Sequence, residues 1–200
     1  MPPRLWLVRH AQPLVAPGTC YGALDVPADP AATSAAARQL ADVLPQGLVA
    51  HHSPLQRCEL LALTLSALRA DLAIESDARL AEMDFGAWEG RAWSAIARSD
   101  IDAWTADFTG QRPGGGESLA AMLERVAAAL RQARQAAARQ QCDVLWISHA
   151  GVARCVQWLL AAPPTDGDGD GDGDALSAAP RAHQWPVAAP AFGAWTTFPP

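Results

Sequence analysis

The chain has 200 residues, 50% of them apolar, and a formal charge of -6 at pH 7. That is enough chain to bury one real core. The acidic balance argues against a nucleic-acid partner, which would call for a basic stripe. All fifteen cations are arginine and lie thinly along the chain, a pattern of codon usage that singles out none of them for function.

Four cysteines, Cys20, Cys58, Cys142 and Cys155, show no CxxC or metal-ligand spacing and read as reduced thiols of a cytoplasmic protein. Arg4 is followed by only four apolar residues before Arg9, unlike the apolar core of a leader. No run approaches the roughly 18 residues of a membrane span. A soluble, cytoplasmic chain with no membrane partner is expected.

In chain order, Leu5-Trp6-Leu7-Val8 is a short apolar run ending at Arg9-His10, which suits a buried strand of a parallel sheet. Ala31 to Leu44 reads as a helix closed by Pro45-Gln46-Gly47. Leu48-Val49-Ala50 reads as a second strand, and Leu55 to Leu68 has helical spacing. Ala73-Ile74 suits a short edge strand, and residues 80–90 read as a loop. Ala92 to Phe108 is expected to be a helix carrying Trp93, Ile96, Ile101 and Trp104. Gly114 to Ser118 reads as a flexible approach to a long helix from Leu119 to Gln140, apolar at Met122, Leu123, Val126 and Leu130. Val144 to Ile147 is the clearest strand and ends at Ser148-His149; a helix follows from Val152 to Leu160. Residues 166–174 are an Asp-Gly run without the twelfth-position Glu of a calcium loop. They read as a solvated linker whose deletion should leave activity intact. The Pro- and Ala-rich segment after it ends in Phe192 to Phe198, which could add one last strand. The whole chain, 1–200, reads as one domain. Alternating strands and helices give an α/β class, with a mostly parallel central sheet between helical layers.

Three predicted strands end in chemically capable groups, where sites of such sheets gather. A neutral imidazole at His10 is a competent nucleophile toward phosphorus, and the Arg9 fork suits phosphoryl oxygens. Arg57 falls in the first turn of a helix, where free backbone N–H groups already favour an anion. His149 precedes the small residues Ala150 and Gly151, which let a ligand approach the backbone. His51 and His52 are neighbours on a strand, face opposite ways and receive no catalytic role. Glu82, Asp84 and Glu89 all lie in a loop with Phe85 and Trp88, and a carboxyl among apolar rings can serve as a general acid. Their spacing does not choose among them. Nothing has metal-ligand spacing, so no metal and no cofactor are expected.

Leu7-Val8-Arg9-His10, Ser53-Pro54-Leu55-Gln56-Arg57, Leu80 to Gly90 (LAEMDFGAWEG), Gly115-Gly116-Glu117-Ser118 and Ile147-Ser148-His149-Ala150-Gly151-Val152 together resemble the histidine phosphatase, or phosphoglycerate mutase-like, superfamily. The five motifs stand in the family's order over roughly residues 4–160. The resemblance implies a three-layer α/β/α sandwich, phosphorylation of His10, phosphate binding by Arg9, Arg57 and His149, and Glu82 as the proton donor. Two departures stand out. The family's Arg-His-Gly-Glu-Thr is here Arg9-His10-Ala11-Gln12-Pro13, and Ala16 replaces a frequent Asn, which implies modest turnover.

The residues from Gly18 to Pro27 resemble a loop of α-ribazole phosphatases. Gln12, Tyr21 and Gly22 are the expected substrate contacts, with Tyr21, from this loop, over the mouth of the site. The expected partner is a small phosphorylated metabolite; a homodimer is left open. Two other functions stand beside hydrolysis: a cofactor-dependent phosphoglycerate mutase, and a phosphate-binding sensor without turnover. No long insertion follows the Glu82 loop to shield a phosphohistidine from water, which favours hydrolysis over a mutase.

Overall fold

A computed structural model of the chain describes residues 2–161 and 179–199. Among these residues the sheet has strands β1 (Leu5–Arg9), β2 (Val49–His52), β3 (Ile74–Ser76), β4 (Val144–Ser148) and β5 (Trp195–Phe198), in the order β3-β2-β4-β1-β5. The first four run parallel, and β5 pairs antiparallel with β1. The helices are α1 (Pro30–Val43), α2 (Gln56–Leu68), α3 (Arg98–Ala106), α4 (Leu119–Gln140) and α5 (Ala150–Ala161).

β4 is central, and every one of its residues is buried. That is why Val144 to Ile147 reads as an unbroken apolar run instead of alternating. The two-residue period still sorts the side chains between faces. Leu5, Leu7, Val144 and Trp146 join the core beneath α4 and α5, whereas Val8, Leu145 and Ile147 join the core beneath α1 and α2. The result is the three-layer α/β/α sandwich, with a mostly parallel sheet.

Local signals set the helix ends. Asp29 accepts a hydrogen bond from the Ala32 N–H at 2.7 Å and precedes Pro30 at the first helical position. Ser118 caps α4, and the buried Met122, Val126, Leu130, Ala133 and Ala137 form its inward stripe.

The structure departs from the expected helix over Ala92 to Phe108. Trp93–Ala95 is only a 3-10 turn, and α3 begins at Arg98. Ala92 pairs with Thr19, and the Trp93 N–H donates to Gly18 O at 2.9 Å, so this stretch is tied to the loop after β1. Its rings join a cluster of edge-on contacts, Phe85 with Trp93 and Trp104, and Trp88 with both. These tertiary ties override the helical period. The Gly114–Ser118 stretch is likewise held: Pro113–Gly115 forms a 3-10 turn, and the Glu117 N–H donates to Asp84 O at 2.7 Å.

The segment from 179 onward packs on the domain. It ends in β5, and the Gly193 N–H reaches both Arg9 O and His10 O at 3.1 Å. The Asp-Gly run 166–174 lies outside the described residues. No helix among the described residues is long and apolar enough to cross a membrane.

Candidate active site

β2, β4 and β1 are parallel neighbours, so the residues that follow them emerge at one edge of the sheet. The backbone continues the ladder past the strand ends: the His10 N–H donates to Ser148 O at 3.0 Å and the Ser53 N–H to Ile147 O at 2.9 Å. This brings His10 and His149 together, with ring centroids 5.2 Å apart and planes inclined at 60°.

Both rings are buried. His10 Nδ1 lies 2.7 Å from Ala11 O. A carbonyl only accepts, so Nδ1 carries the proton and Nε2 presents its lone pair. Burial, then the charge of Arg57, pushes the His10 pKa down to about 3, against the bond to Ala11. His149 is held well below the ordinary imidazole value by burial first, then by Arg57 and His10. Its Nε2 lies 2.7 Å from Ser53 Oγ, which also accepts the Leu55 N–H at 3.3 Å. A Ser53 hydroxyl that donates to Nε2 leaves the proton of the neutral His149 ring on Nδ1.

Arg57, in the first turn of α2, is fully buried. Its Nη1 donates to Leu24 O at 2.9 Å and its Nη2 to Gly22 O at 2.6 Å. A Cβ on Gly22 would fall 1.8 Å from Met83 O, so only glycine lets this loop pass the Glu82 loop. Tyr21 stands beside it, its ring centroid 5.5 Å from Arg57 Cζ. Arg9 donates from Nη1 to Pro190 O at 3.1 Å and lies 3.8 Å over the Phe192 ring. Burial lowers its pKa; the nearby Tyr21 and Glu82 oppose that shift.

Glu82 accepts from the Met83 N–H at Oε1 and the Gly151 N–H at Oε2, both at 3.0 Å. Gly151 is the second residue of α5, so the carboxylate sits on one of that helix's unpaired amides. Its backbone is pinned by Arg125, which donates to the carbonyls of Arg79 and Ala81 at 2.7 Å and of Glu82 at 3.3 Å. Glu117 holds that guanidinium with two bonds of 2.7 Å. The other acidic candidates have structural partners. Asp84 accepts from the Gly86 N–H at 2.7 Å and is exposed. Glu89 accepts from the N–H groups of Ala23, Leu24 and Phe85.

Arg9, His10, Tyr21 and Glu82 line one cavity of about 410 Å³. Arg57, Gly22 and His149 are not among its lining residues, and both Arg57 and His149 are fully buried. Gln12 is exposed, is not among the lining residues, and uses its carbonyl to accept the Asp29 N–H at 2.8 Å. The sequence reading did not single out Arg154, which also lines the cavity. Its three-residue spacing from Gly151 on α5 was the available signal, because such positions share a helix face. Nor did it anticipate Ser53 as the partner of His149, or the aromatic part of the wall. Among the described residues no group of three or more His, Cys, Asp and Glu could hold a metal ion.

A family model of the histidine phosphatase superfamily (branch 1) matches residues 5–169. A phosphoglycerate mutase from Thermus thermophilus is 32% identical, with a TM-score of 0.63 over 80% of this chain and 85% of that one. A mycobacterial glucosyl-3-phosphoglycerate phosphatase is 26% identical, with a TM-score of 0.68 over 80% and 81%. Among curated proteins, a bifunctional protein of Mycobacterium tuberculosis is 42% identical over 78 residues, 37% of this chain but only 21% of that protein. The chain thus spans about a fifth of the curated relatives it matches. With the two histidines and the arginines gathered at one sheet edge, the chain belongs to the histidine phosphatase superfamily.

Proposed function

We propose that the chain hydrolyses a small-molecule phosphomonoester through a phosphohistidine on His10. The single observation that supports this most is the His10 ring itself, which is buried, neutral, 5.2 Å from His149, and held by Ala11 O so that Nε2 is free. The Nε2 lone pair forms a bond to phosphorus as the bond to the alcohol oxygen breaks, and Glu82 gives that oxygen a proton. Water then attacks phosphorus, the N–P bond breaks, and the water proton passes to Glu82. Arg9, Arg57 and the His149 Nδ1–H bind the three phosphoryl oxygens, Arg57 by turning its guanidinium away from the Leu24 and Gly22 carbonyls, and the guanidinium donors offset the phosphoryl charge. Tyr21 and the Gly22 backbone flank the leaving group.

The resemblance of residues 18–27 makes α-ribazole 5′-phosphate our specific suggestion within this class. A phosphoglycerate mutase is the second reading, supported by the 32% identity to the Thermus enzyme so named.

Phosphate release from p-nitrophenyl phosphate, with acid-quench trapping of the phosphoenzyme, tests the proposal. The native chain should turn over and label on His10, and His10→Ala should do neither. Retained turnover in that variant would remove His10 as nucleophile. Glu82→Gln should slow an alkyl phosphate more than p-nitrophenyl phosphate, whose leaving group needs no proton. Isomerisation of 3-phosphoglycerate without phosphate release would favour the mutase.

A further inference from the structure

The cavity beside His10 has two chemically different parts. One carries Arg9, His10, Glu82 and Arg154. Most of the remaining wall is apolar, with rings from Phe85, Trp93, Trp104, Phe108 and Trp185. With Tyr21, six of the chain's thirteen Trp, Phe and Tyr residues meet at this one space.

These rings come from the Glu82 loop, the 3-10 turn at Trp93, α3 and the turn that follows it, and the segment after residue 179, and they brace one another. Phe85 meets Trp93 at 5.6 Å and 84°, and Trp104 at 6.0 Å and 88°. Phe108 lies 5.4 Å from Trp104 and 6.0 Å from Trp185. Interlocked in this way, the wall is formed before any ligand arrives. It is not sealed core, since Trp93 remains 38% exposed.

Hydrogen-bonding groups are few there. Beyond Arg9, His10, Glu82 and Arg154, the side chains lining the cavity offer only the hydroxyls of Thr19 and Tyr21, and Glu82 is the sole carboxylate among them. A phosphorylated polyol would leave hydroxyls facing aromatic carbon, and unpaired buried polar groups are strongly disfavoured. A flat apolar body would stack against the rings. The volume of about 410 Å³ lies within the roughly 300–1,000 Å³ of small-ligand sites.

We infer that the aromatic cavity receives a flat ring system carried on the alcohol, so that the substrates are aromatic-bodied phosphomonoesters and not phosphorylated polyols or short phospho-acids. The inference rests on the phosphomonoesterase reading above.

The test uses the full chain and esters of primary alcohols, whose leaving groups are similarly basic: ethyl, benzyl and 2-naphthylmethyl phosphate, with 3-phosphoglycerate. Adding the ring system should raise kcat/KM at least about tenfold over ethyl phosphate, the scale of one or two good ring contacts. Trp93→Ala, at a position 38% exposed, should lower the ratio of the naphthylmethyl to the ethyl phosphate kcat/KM several-fold. Trp104→Phe should do so more mildly, and supplies the same readout if Trp93→Ala is poorly folded. Equal kcat/KM across the esters, or a preference for 3-phosphoglycerate, would overturn the aromatic assignment while phosphate release kept the hydrolase reading. Absence of both release and His10 labelling would overturn the two together.

Discussion

The Gly151 N–H donates to Glu82 Oε2 at 3.0 Å, and a Cβ added at Gly151 would fall 2.0 Å from Glu82 Oε1. The obstacle is the tip of a flexible side chain, and position 151 is ordinary helix, where alanine is favoured over glycine. Gly151→Ala should therefore fold normally and move the carboxylate. The expected result is a loss of roughly 10²-fold in kcat, the usual scale of general acid–base catalysis, with Tm unchanged or raised. Unchanged kcat would mean that this carboxylate position carries no catalytic weight.

Arg125 joins the Glu82 loop to α4 through three carbonyls and Glu117. Arg125→Ala leaves those carbonyls and a mostly buried Glu117 without their partner. It should cost about 2–3 kcal/mol in urea unfolding, discounted for the partial exposure of the pair. Removing Arg125 and Glu117 together should cost less than the single change, because no orphan charge remains. A double variant as unstable as R125A would show that the lost carbonyl bonds dominate.

Phe192 supports the guanidinium of Arg9 at 3.8 Å and lies 5.5 Å from the His10 ring. Phe192→Ala removes that platform and a ring beside His10, and leaves every bond-making group in the chain. Arg9 should become less ordered, and KM for a phosphomonoester should rise several-fold with a smaller change in kcat, which steady-state kinetics would resolve.

Folded-state pKa values of His10 and His149 lie below the ordinary 6.5, that of His10 at about 3. Below about pH 6.5 an unfolded chain takes up protons on these rings that the folded chain refuses. Stability is thus fully present above pH 6.5 and declines as pH falls toward 3, with a limiting slope of about 1.4 kcal/mol per pH unit for each ring. Urea midpoints between pH 7 and 4.5, above the ordinary carboxylate range, should fall accordingly. His10→Asn should flatten the trend; an identical slope in that variant would assign it elsewhere.

The sheet was legible because a strand buried on both faces reads as an unbroken apolar run, as Leu5 to Val8 and Val144 to Ile147 do. The polar residues just beyond those runs marked the site for the same reason. What was hidden is tertiary. Nothing in the spacing of Glu82, Asp84 and Glu89 says which one meets the helix amide at Gly151. Trp93 and Trp104 fit a helical period, yet they serve a ring cluster that breaks the helix between them. Gln12 follows the nucleophile closely in sequence and still turns outward, because the chain bends to pair its carbonyl with Asp29.

Arg9 and Pro190 are 181 positions apart and share a hydrogen bond, and Gly193 clasps the peptide on either side of the nucleophile. The first strand's outer edge is thus finished by a strand made near the opposite end of the chain, a long loop to close before the pocket has its final shape. On refolding, regained turnover should trail the burial of Trp146 and coincide with the arrival of Trp195.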